Sequence, residues 1–319
     1  MEAGGPWSAV MKPGMPTGDA PRHARPVMRS ELLRGLRALG VRPGGILMVH
    51  TRMSAVGWVV GGSQTIVEAL LAAVGPGGTV MAYAGWEDDP WHLAEWPPER
   101  QRAYRAELPP FDPELSEADH EMGRLPERIR TWPGAKASTG HVMRMVAVGA
   151  RAGWLTENQP WDHPAGPGSP LAKLVEADGQ VLLLGAPLDT LTLLHHAESL
   201  VDGPDKRMVT YQIPISDGEK VTWCEVHDHD TSSRGAFPYE RVIPHGDDAF
   251  AVIGRQALTA GVGISGQVGD AKSHLFAARP LVAFAVSWLQ QHFSGGSSAM
   301  LRSVERRPVR DHRHKNRPR

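Results

Sequence analysis

Cysteine, aromatic residues and net charge are all scarce in this chain of 319 residues. It has one cysteine, Cys224, which excludes an intrachain disulfide and every zinc site that needs several cysteines. Because Cys224 ends the apolar run VTWC, we expect a buried structural thiol rather than a nucleophile. The formal net charge is −1, so no overall attraction to nucleic acid or to an anionic membrane is expected.

No apolar run reaches the length of a membrane-spanning helix. Residues 281–289 form one of the longest, at about half of the ~20 residues that such a helix needs. The first thirty residues also lack the continuous apolar core of a signal peptide. We therefore expect a cytoplasmic protein with no membrane partner, and its 41% of hydrophobic and 22% of charged residues are typical of a globular fold.

Three regions of the chain differ in composition. Residues 1–27 are rich in Pro and Gly and show no hydrophobic period, which predicts a flexible leader. An amphipathic pattern begins at Met28, and we expect a single folded domain over residues 28–295. Residues 296–319 form a basic tail, with eight Arg or Lys against two acids from position 301 onward, and we expect solvated disorder there rather than a nucleic-acid partner.

Helix and strand patterns alternate inside the domain, which predicts an α/β fold with helices packed on a sheet. The predicted strands are residues 46–50, 79–83, 181–184, 209–215 and 221–226. The predicted helices are two that follow the N-caps Ser63 and Ser169, and others over residues 190–201, 247–258 and 280–292.

Residues 85–125 break this alternation. They contain eleven acidic residues, four Arg and three Trp, which predicts an acidic, Trp-rich insertion with a binding role. Carboxylates complement a polycation, and the indole of a residue such as Trp86 stacks on sugar rings or cations. A small substrate with several amines would suit this composition.

The predicted helix over residues 190–201 carries two histidines and a glutamate. At about 100° per residue, His195 and Glu198 share one face of the helix, whereas His196 points away from His195. One histidine can therefore face a site together with Glu198.

A second group of polar residues follows the predicted strand 221–226. If the extended conformation continues, Asp228 and Asp230 lie on one side of the strand, and Glu225, His227 and His229 lie on the other. The first pair could orient an imidazole, and the second set contains ligands suited to a metal. The residues alone leave both possibilities open.

Glycine-rich turns offer a third candidate. Val60, Gly61 and Gly62 precede a predicted helix, whose N-terminal N–H groups could bind a phosphate. The spacing matches neither a Walker A motif nor a dinucleotide-binding fingerprint, and residues 261–266 fit the latter only formally because they follow a helix.

Nine segments between residues 28 and 293 together resemble the aminoglycoside 3-N-acetyltransferases, which are unrelated in fold to the common GNAT acetyltransferases. The matching segments are 48–57 (MVHTRMSAVG) with Gly61 and Gly62, 75–81 (GPGGTVM), 110–113 (PFDP), 123–127 (GRLPE), 168–171 (GSPL), 182–185 (LLLG), 194–198 (LHHAE), 228–232 (DHDTS) and 269–276 (GDAKSHLF).

The resemblance implies a mixed-sheet core flanked by helices and transfer of an acetyl group from acetyl-CoA to the 3-amine of a 2-deoxystreptamine antibiotic, which confers resistance. His195 matches the histidine of the family's LHxAE motif and is expected to act as general base, with direct transfer. Asp228 falls where the family usually has the glutamate that supports this histidine, and its shorter side chain is a departure from the family pattern.

The resemblance also implies the residues that bind the two substrates. The expected substrate-binding residues are Glu198, Asp230, Asp88, Asp89, Asp112 and Trp86. The expected acetyl-CoA-binding residues are His50, Thr51, Arg52, Met53, Val60, Gly61, Gly62 and Ser138, although the family's Arg and the pair after Ser138 are replaced here. No metal is expected, and the chain is expected to be a monomer or a homodimer.

Three other functions are consistent with the same residues. The first is a biosynthetic acyltransferase for another amine, and the second is a metal-dependent hydrolase that uses Glu225, His227 and His229. The third is a polycation-binding protein without turnover.

Overall fold

A computed structural model describes residues 25–216, 218 and 220–294. Within this part of the chain the α-helices are α1 Arg29–Ala38, α2 Met53–Val56, α3 Gly62–Val74, α4 Pro98–Glu107, α5 Arg124–Arg130, α6 Ala152–Thr156, α7 Pro170–Glu176, α8 Leu193–Ser199, α9 Ala249–Thr259 and α10 Ala278–Phe293. The strands are β1 Pro26–Val27, β2 Ile46–Thr51, β3 Trp58–Val59, β4 Thr79–Tyr83, β5 Lys136–Ala137, β6 Met145–Gly149, β7 Gln180–Leu184, β8 Met208–Ser216, β9 Val221–His229, β10 Gly263–Val268 and β11 Ala271–Ala277.

A seven-stranded sheet in the order β10-β11-β7-β2-β4-β6-β5 forms the centre of the molecule. Strand β2 pairs in parallel with β4 and β7, and the other pairings in this sheet are antiparallel. The sheet is therefore mixed, and the predicted α/β fold is confirmed. Two small sheets, the parallel pair β1-β3 and the antiparallel hairpin β8-β9, complete the topology.

The central strands are buried on both faces, which explains their continuous apolar sequences. Along β2, Met48 packs into one hydrophobic core and Leu47 into another, because successive side chains of a strand point to opposite faces. The first core includes Leu194 of α8 and helix α10, and the second includes helices α1 and α3. Helices thus cover the sheet on both sides.

Several predicted boundaries shift in the structure. Ser63 is not an N-cap, since α3 begins at Gly62 after Gly61, whose φ of 82° favours glycine. Ser169 is confirmed as an N-cap, because its hydroxyl accepts a hydrogen bond from the N–H of Ala172 at 3.1 Å. The helix predicted over residues 190–201 is a short 3-10 turn followed by α8.

The leader was predicted to extend to residue 27, but its last residues belong to the fold. Pro26 and Val27 pair with β3, and the Arg25 guanidinium binds the carboxylates of Glu31 and Asp270. Residues 1–24 and 295–319, which include the rest of the predicted leader and the whole basic tail, lie outside the described residues.

The acidic segment 85–125 contains α4 and two 3-10 turns. A fully buried arginine, Arg144, binds it from within: the guanidinium donates to the carbonyls of Pro113 at 2.7 Å and Ser116 at 2.9 Å. Carboxylates of the segment also fix its backbone, since Oδ1 of Asp112 accepts the N–H groups of Glu114 and Leu115. No helix in the described part of the chain has the length and apolar character needed to cross a membrane.

Candidate active site

Helix α8 brings His195 and Glu198 together on one face, as the sequence predicts. Nδ1 of His195 lies 2.7 Å from Oε2 of Glu198. Leu193, Leu194 and Ala197 of the same helix are buried in the core, so the helix is held in a fixed orientation. This hydrogen bond occupies Nδ1 and leaves Nε2 as the nitrogen that can accept a proton.

Glu198 is almost completely buried, with 1% of its side chain exposed. Its second oxygen, Oε1, accepts a hydrogen bond from the hydroxyl of Tyr239 at 2.6 Å. Burial by itself would raise the pKa of Glu198, but the hydrogen bond from His195 and the nearby ring of His229 hold that pKa well below its usual range. Glu198 is therefore a partner of His195 with both oxygens engaged, and its role in binding the substrate stays a prediction.

Asp228 was predicted to support His195, and the structure corrects this prediction. Its Oδ1 accepts the main-chain N–H of His229 at 2.8 Å and lies 3.1 Å from Nδ1 of the same histidine. Glu198 holds the position beside His195 instead, because a spacing of three residues on one helix brings the two side chains together without any contribution from β9.

His229 joins the two carboxylates. It ends β9, only 1% of its side chain is exposed, and its Nε2 lies 3.5 Å from Oε2 of Glu198. Burial lowers its pKa, but hydrogen bonds and charges from Asp228 and Glu198 outweigh burial and raise the pKa to about 9. The two carboxylates therefore favour the charged form of this ring.

The set Glu225, His227 and His229 does not form a metal site. Glu225 and His227 are exposed and contact each other at 3.2 Å, whereas His229 is buried against Glu198. The pairing of β9 with β8 is regular through His229, so the extended conformation persists, but the three side chains differ in burial and contact different partners. The hydrolase hypothesis loses its ligand set.

Donor atoms of His195, Glu198 and His229 lie within 4.8 Å of one another, close enough to be considered for a metal. Both oxygens of Glu198 already accept hydrogen bonds from protonated groups, Nδ1 of His195 and the hydroxyl of Tyr239. The arrangement is that of a hydrogen-bonded network.

A cavity of about 680 Å³ opens next to His195. Phe250 of α9 packs on the imidazole with 4.7 Å between ring centroids and lines the same cavity. Acidic side chains outnumber Arg in the lining, which includes Asp189, Glu198, Glu240, Asp247, Asp248, Arg207 and Arg234. The cavity is therefore suited to a cationic ligand.

Apart from Glu198, the carboxylates predicted to bind the substrate are not part of this lining. Asp230 is buried, and its Oδ1 accepts from the N–H and hydroxyl of Ser232. Asp112 borders a different cavity of about 570 Å³ together with Arg130 and Lys136. These two residues, predicted to bind one polycation together, thus lie at different sites in the structure.

The remaining predicted substrate residues belong to the acidic segment. Asp88 is exposed, and Asp89 caps a 3-10 turn by accepting the N–H of Trp91 at 3.1 Å. Burial raises the pKa of Asp89 to about 6, so this carboxyl is a weaker partner for an ammonium than an exposed one. Trp86 is 3% exposed and packs against Phe111, so its face is not free to stack on a sugar.

The residues predicted to bind acetyl-CoA lie at the end of β2 and at the start of α3. Nε2 of His50 and Oγ1 of Thr51 are buried without a hydrogen-bond partner, and burial lowers the pKa of His50 to about 4. Unpaired buried polar atoms are uncommon in proteins, and a ligand that binds them would satisfy both. Arg52 is exposed and Met53, half-buried, begins α2.

The glycines of this region and Ser138 have different surroundings. Gly61 and Gly62 both have positive φ and form the N-terminal turn of α3, next to the exposed Val60. Ser138 is fully buried, and its hydroxyl accepts the N–H of Met145 at 2.9 Å. Ser138 therefore stabilises the end of β5 against β6 rather than offering its hydroxyl to a ligand.

Sequence reasoning missed Tyr239, Phe250 and the positioning contact of His229. Tyr239 lies 41 residues after Glu198, and no local pattern connects the two. The pair Asp247 and Asp248 before an apolar run was a detectable signal, because an acid in that position is a typical N-cap.

The sequence model of the family described as aminoglycoside 3-N-acetyltransferase matches residues 48–290, which is more than half of the chain. The chain belongs to the aminoglycoside 3-N-acetyltransferase family. As a member of this family it is an acetyltransferase. It is 52% identical over 277 residues to aminoglycoside N(3)-acetyltransferase VIII of Streptomyces fradiae, which covers 86% of this chain and 96% of that protein.

Solved structures of other aminoglycoside acetyltransferases have the same fold. The structure of AAC(3)-Xa has a TM-score of 0.82 with 50% identity and covers 84% of this chain and 94% of that one. AAC-IIIb bound to CoASH has a TM-score of 0.78 with 43% identity over 86% of this chain and all of that one. AAC-VIa bound to sisomicin has a TM-score of 0.78 with 36% identity, and the match covers 85% of this chain and 100% of that one.

Proposed function

We propose that the protein transfers the acetyl group of acetyl-CoA to the 3-amino group of a 2-deoxystreptamine aminoglycoside and thereby confers resistance to it. The observation that carries this proposal is the pair of His195 and Glu198, joined at 2.7 Å and bordering a cavity with an excess of acidic side chains. The CoASH complex of one relative and the sisomicin complex of another agree with the two substrates.

In this mechanism His195 is the general base. The amines of an aminoglycoside are largely protonated at neutral pH, and a protonated amine cannot attack a thioester. Nε2 of His195 takes a proton from the amine, while Glu198 fixes the tautomer through Nδ1 and stabilises the imidazolium that forms. The free amine then attacks the acetyl carbonyl directly, the C–S bond breaks, and the thiolate of CoA takes up the proton that the attacking nitrogen loses as the amide forms.

The bound substrates need two surfaces. We propose that carboxylates of the cavity, among them Asp189 and Asp248, bind the antibiotic's other ammonium groups. We propose that the end of β2 and the N-terminus of α3 hold CoA, where His50 and Thr51 offer unpaired polar atoms. Holding both substrates in contact supplies much of the rate enhancement.

Release of CoA thiol tests the activity directly. The protein is mixed with acetyl-CoA and a panel of aminoglycosides that have or lack an amine at position 3 of the central ring. We expect thiol release and one added acetyl group only with the 3-amines. Release with unrelated amines instead would indicate a biosynthetic acyltransferase, and binding of aminoglycosides without any thiol release would indicate a polycation-binding protein.

Replacement of the proposed base is the sharpest single test. His195→Ala should lower kcat at least about 100-fold, the low end for removal of a general base. The control is His227→Ala, since His227 is an exposed histidine outside the cavity lining and should be dispensable. Full activity in His195→Ala would remove the assigned base.

A further inference from the structure

The ring of His229 lies between two buried carboxylates. Its Nδ1 is 3.1 Å from Oδ1 of Asp228, and its Nε2 is 3.5 Å from Oε2 of Glu198. Ionised carboxylates only accept hydrogen bonds, and a neutral imidazole has a single N–H. Nε2 of His229 has no hydrogen-bond partner at this distance, so the two carboxylates act on the ring through their charges, and these favour the imidazolium.

We propose that His229 is a positioning residue, whose imidazolium balances the charges of Asp228 and Glu198 and keeps Glu198 ionised and directed at Nδ1 of His195. This proposal rests on the proposed role of His195 as the base. With His229 charged, the four side chains carry one net negative charge while His195 is neutral. The same network becomes neutral when His195 accepts the proton of the substrate amine.

The neighbouring polar groups balance the charges of the two carboxylates less directly than His229 does. Tyr239 donates a hydrogen bond to Glu198 but carries no charge at neutral pH, because burial raises its pKa. His163 is half exposed and its Nδ1 is 4.0 Å from Asp228. Lys206 adds positive charge nearby, but its ammonium donates to the carbonyls of Ser199 and Val201.

The burial of the network makes the charge balance necessary. Asp228, Glu198 and His229 each have 1% of the side chain exposed, so water cannot screen the two carboxylates. Removal of the imidazolium would leave two negative charges beside His195, and one of the remaining groups would then hold a proton more readily. A proton on Glu198 weakens its support of His195, and a proton on His195 blocks the base.

The variant His229→Gln keeps a side chain of similar length but removes the charge. The rings of His195 and His229 are 6.2 Å apart between centroids, so the lost charge acts at short range. We expect the acid limb of the kcat/KM profile to move to higher pH by about one unit, since a single charge at this distance changes proton binding by that order. Above the shifted limb, kcat/KM should recover to within about five-fold of wild type.

The matched control is His227→Gln, two residues earlier on the same strand and half exposed. Its acid limb should coincide with that of the wild type. An unmoved limb in His229→Gln, or an equal loss of activity at every pH, would overturn the proposal, because a purely structural role predicts one of these results.

A measurement on the wild-type protein covers the case in which His229→Gln does not fold. Nitrogen-15 NMR of histidine-labelled enzyme at pH 8 should show both ring nitrogens of His229 protonated. A neutral tautomer at that pH would overturn the proposal. The variant His195→Ala distinguishes the two proposals. Retained activity in His195→Ala would contradict the role of His195 as the base. Loss of activity in His195→Ala together with an unmoved acid limb in His229→Gln would contradict only the positioning role of His229.

Discussion

Glu198 is the residue through which the site is organised. It accepts hydrogen bonds from His195 and Tyr239 and contacts His229, so one buried carboxylate connects a helix, a strand end and a loop. A buried ionised group is costly unless each lone pair is used, and here the surrounding donors meet that need. The orientation of the proposed base depends on this single side chain.

Replacing Glu198 by its amide tests this dependence. Glu198→Gln keeps the shape but loses the charge that stabilises the imidazolium, so kcat should fall by about 10²- to 10⁴-fold, as for the carboxylate of other His-carboxylate pairs. Tyr239→Phe removes only one of the hydrogen bonds to Glu198 and should have a much smaller effect on kcat. Steady-state kinetics of both variants check the order, and a larger loss in Tyr239→Phe would contradict it.

The N-cap residues of two helices differ in their relation to the cavity. Asp248 caps α9 by accepting the N–H of Ala251 at 2.8 Å, and it also lines the cavity. Ser169 caps α7 in the same way but lies outside that lining. The two caps therefore contribute similarly to stability and differently to binding.

Alanine variants separate these contributions. Both Asp248→Ala and Ser169→Ala should lower the free energy of unfolding by about 1 kcal/mol, the usual value of a lost N-cap. Only Asp248→Ala should also raise KM for the aminoglycoside, by about five-fold, which corresponds to about 1 kcal/mol for one charged contact. Urea denaturation and steady-state kinetics measure the two effects. An equal rise in KM for Ser169→Ala would show that loss of stability alone explains it.

An ionic network is buried between the helices on the central sheet and the β8-β9 hairpin. The ionisation of this network affects the free energy of unfolding. The folded state raises the pKa of His229 from 6.5 to about 9. A group whose pKa is raised on folding stabilises the protein fully below its unfolded pKa, and that contribution is lost as the pH rises through the folded pKa.

The free energy of unfolding should therefore fall between about pH 6.5 and pH 9.5. The contribution of His229 amounts to up to about 3 kcal/mol, since one unit of pKa corresponds to about 1.4 kcal/mol. Glu198 acts in the opposite range, because its lowered pKa gives stability that is lost only in acid. Urea denaturation across this range should show a steeper decline for the wild type than for His229→Gln, and parallel curves would contradict the expectation.

The sequence predicted the features that depend on local spacing. The apolar runs of β2, β4 and β7 identified the buried strands, and the helical period placed His195 and Glu198 on one face. The strands β6, β10 and β11 were missed. The apolar run of β6 is as long as those of β4 and β7, so it was a detectable signal, whereas β10 carries an exposed face and Gly266 and has no distinctive pattern.

The sequence did not predict the partners of the proposed catalytic side chains correctly, because several acids along the chain were equally suitable. Which oxygen Tyr239 reaches, which carboxylates flank His229 and where the acidic cavity opens depend on how α8, α9 and the end of β9 pack together. Local patterns were enough to predict many of the elements, the family resemblance and the candidate base, because covalent geometry sets the spacing along a helix or strand. The fold alone brought Tyr239 and His229 to Glu198 and kept Asp228 away from His195, because contacts between distant segments arise from packing.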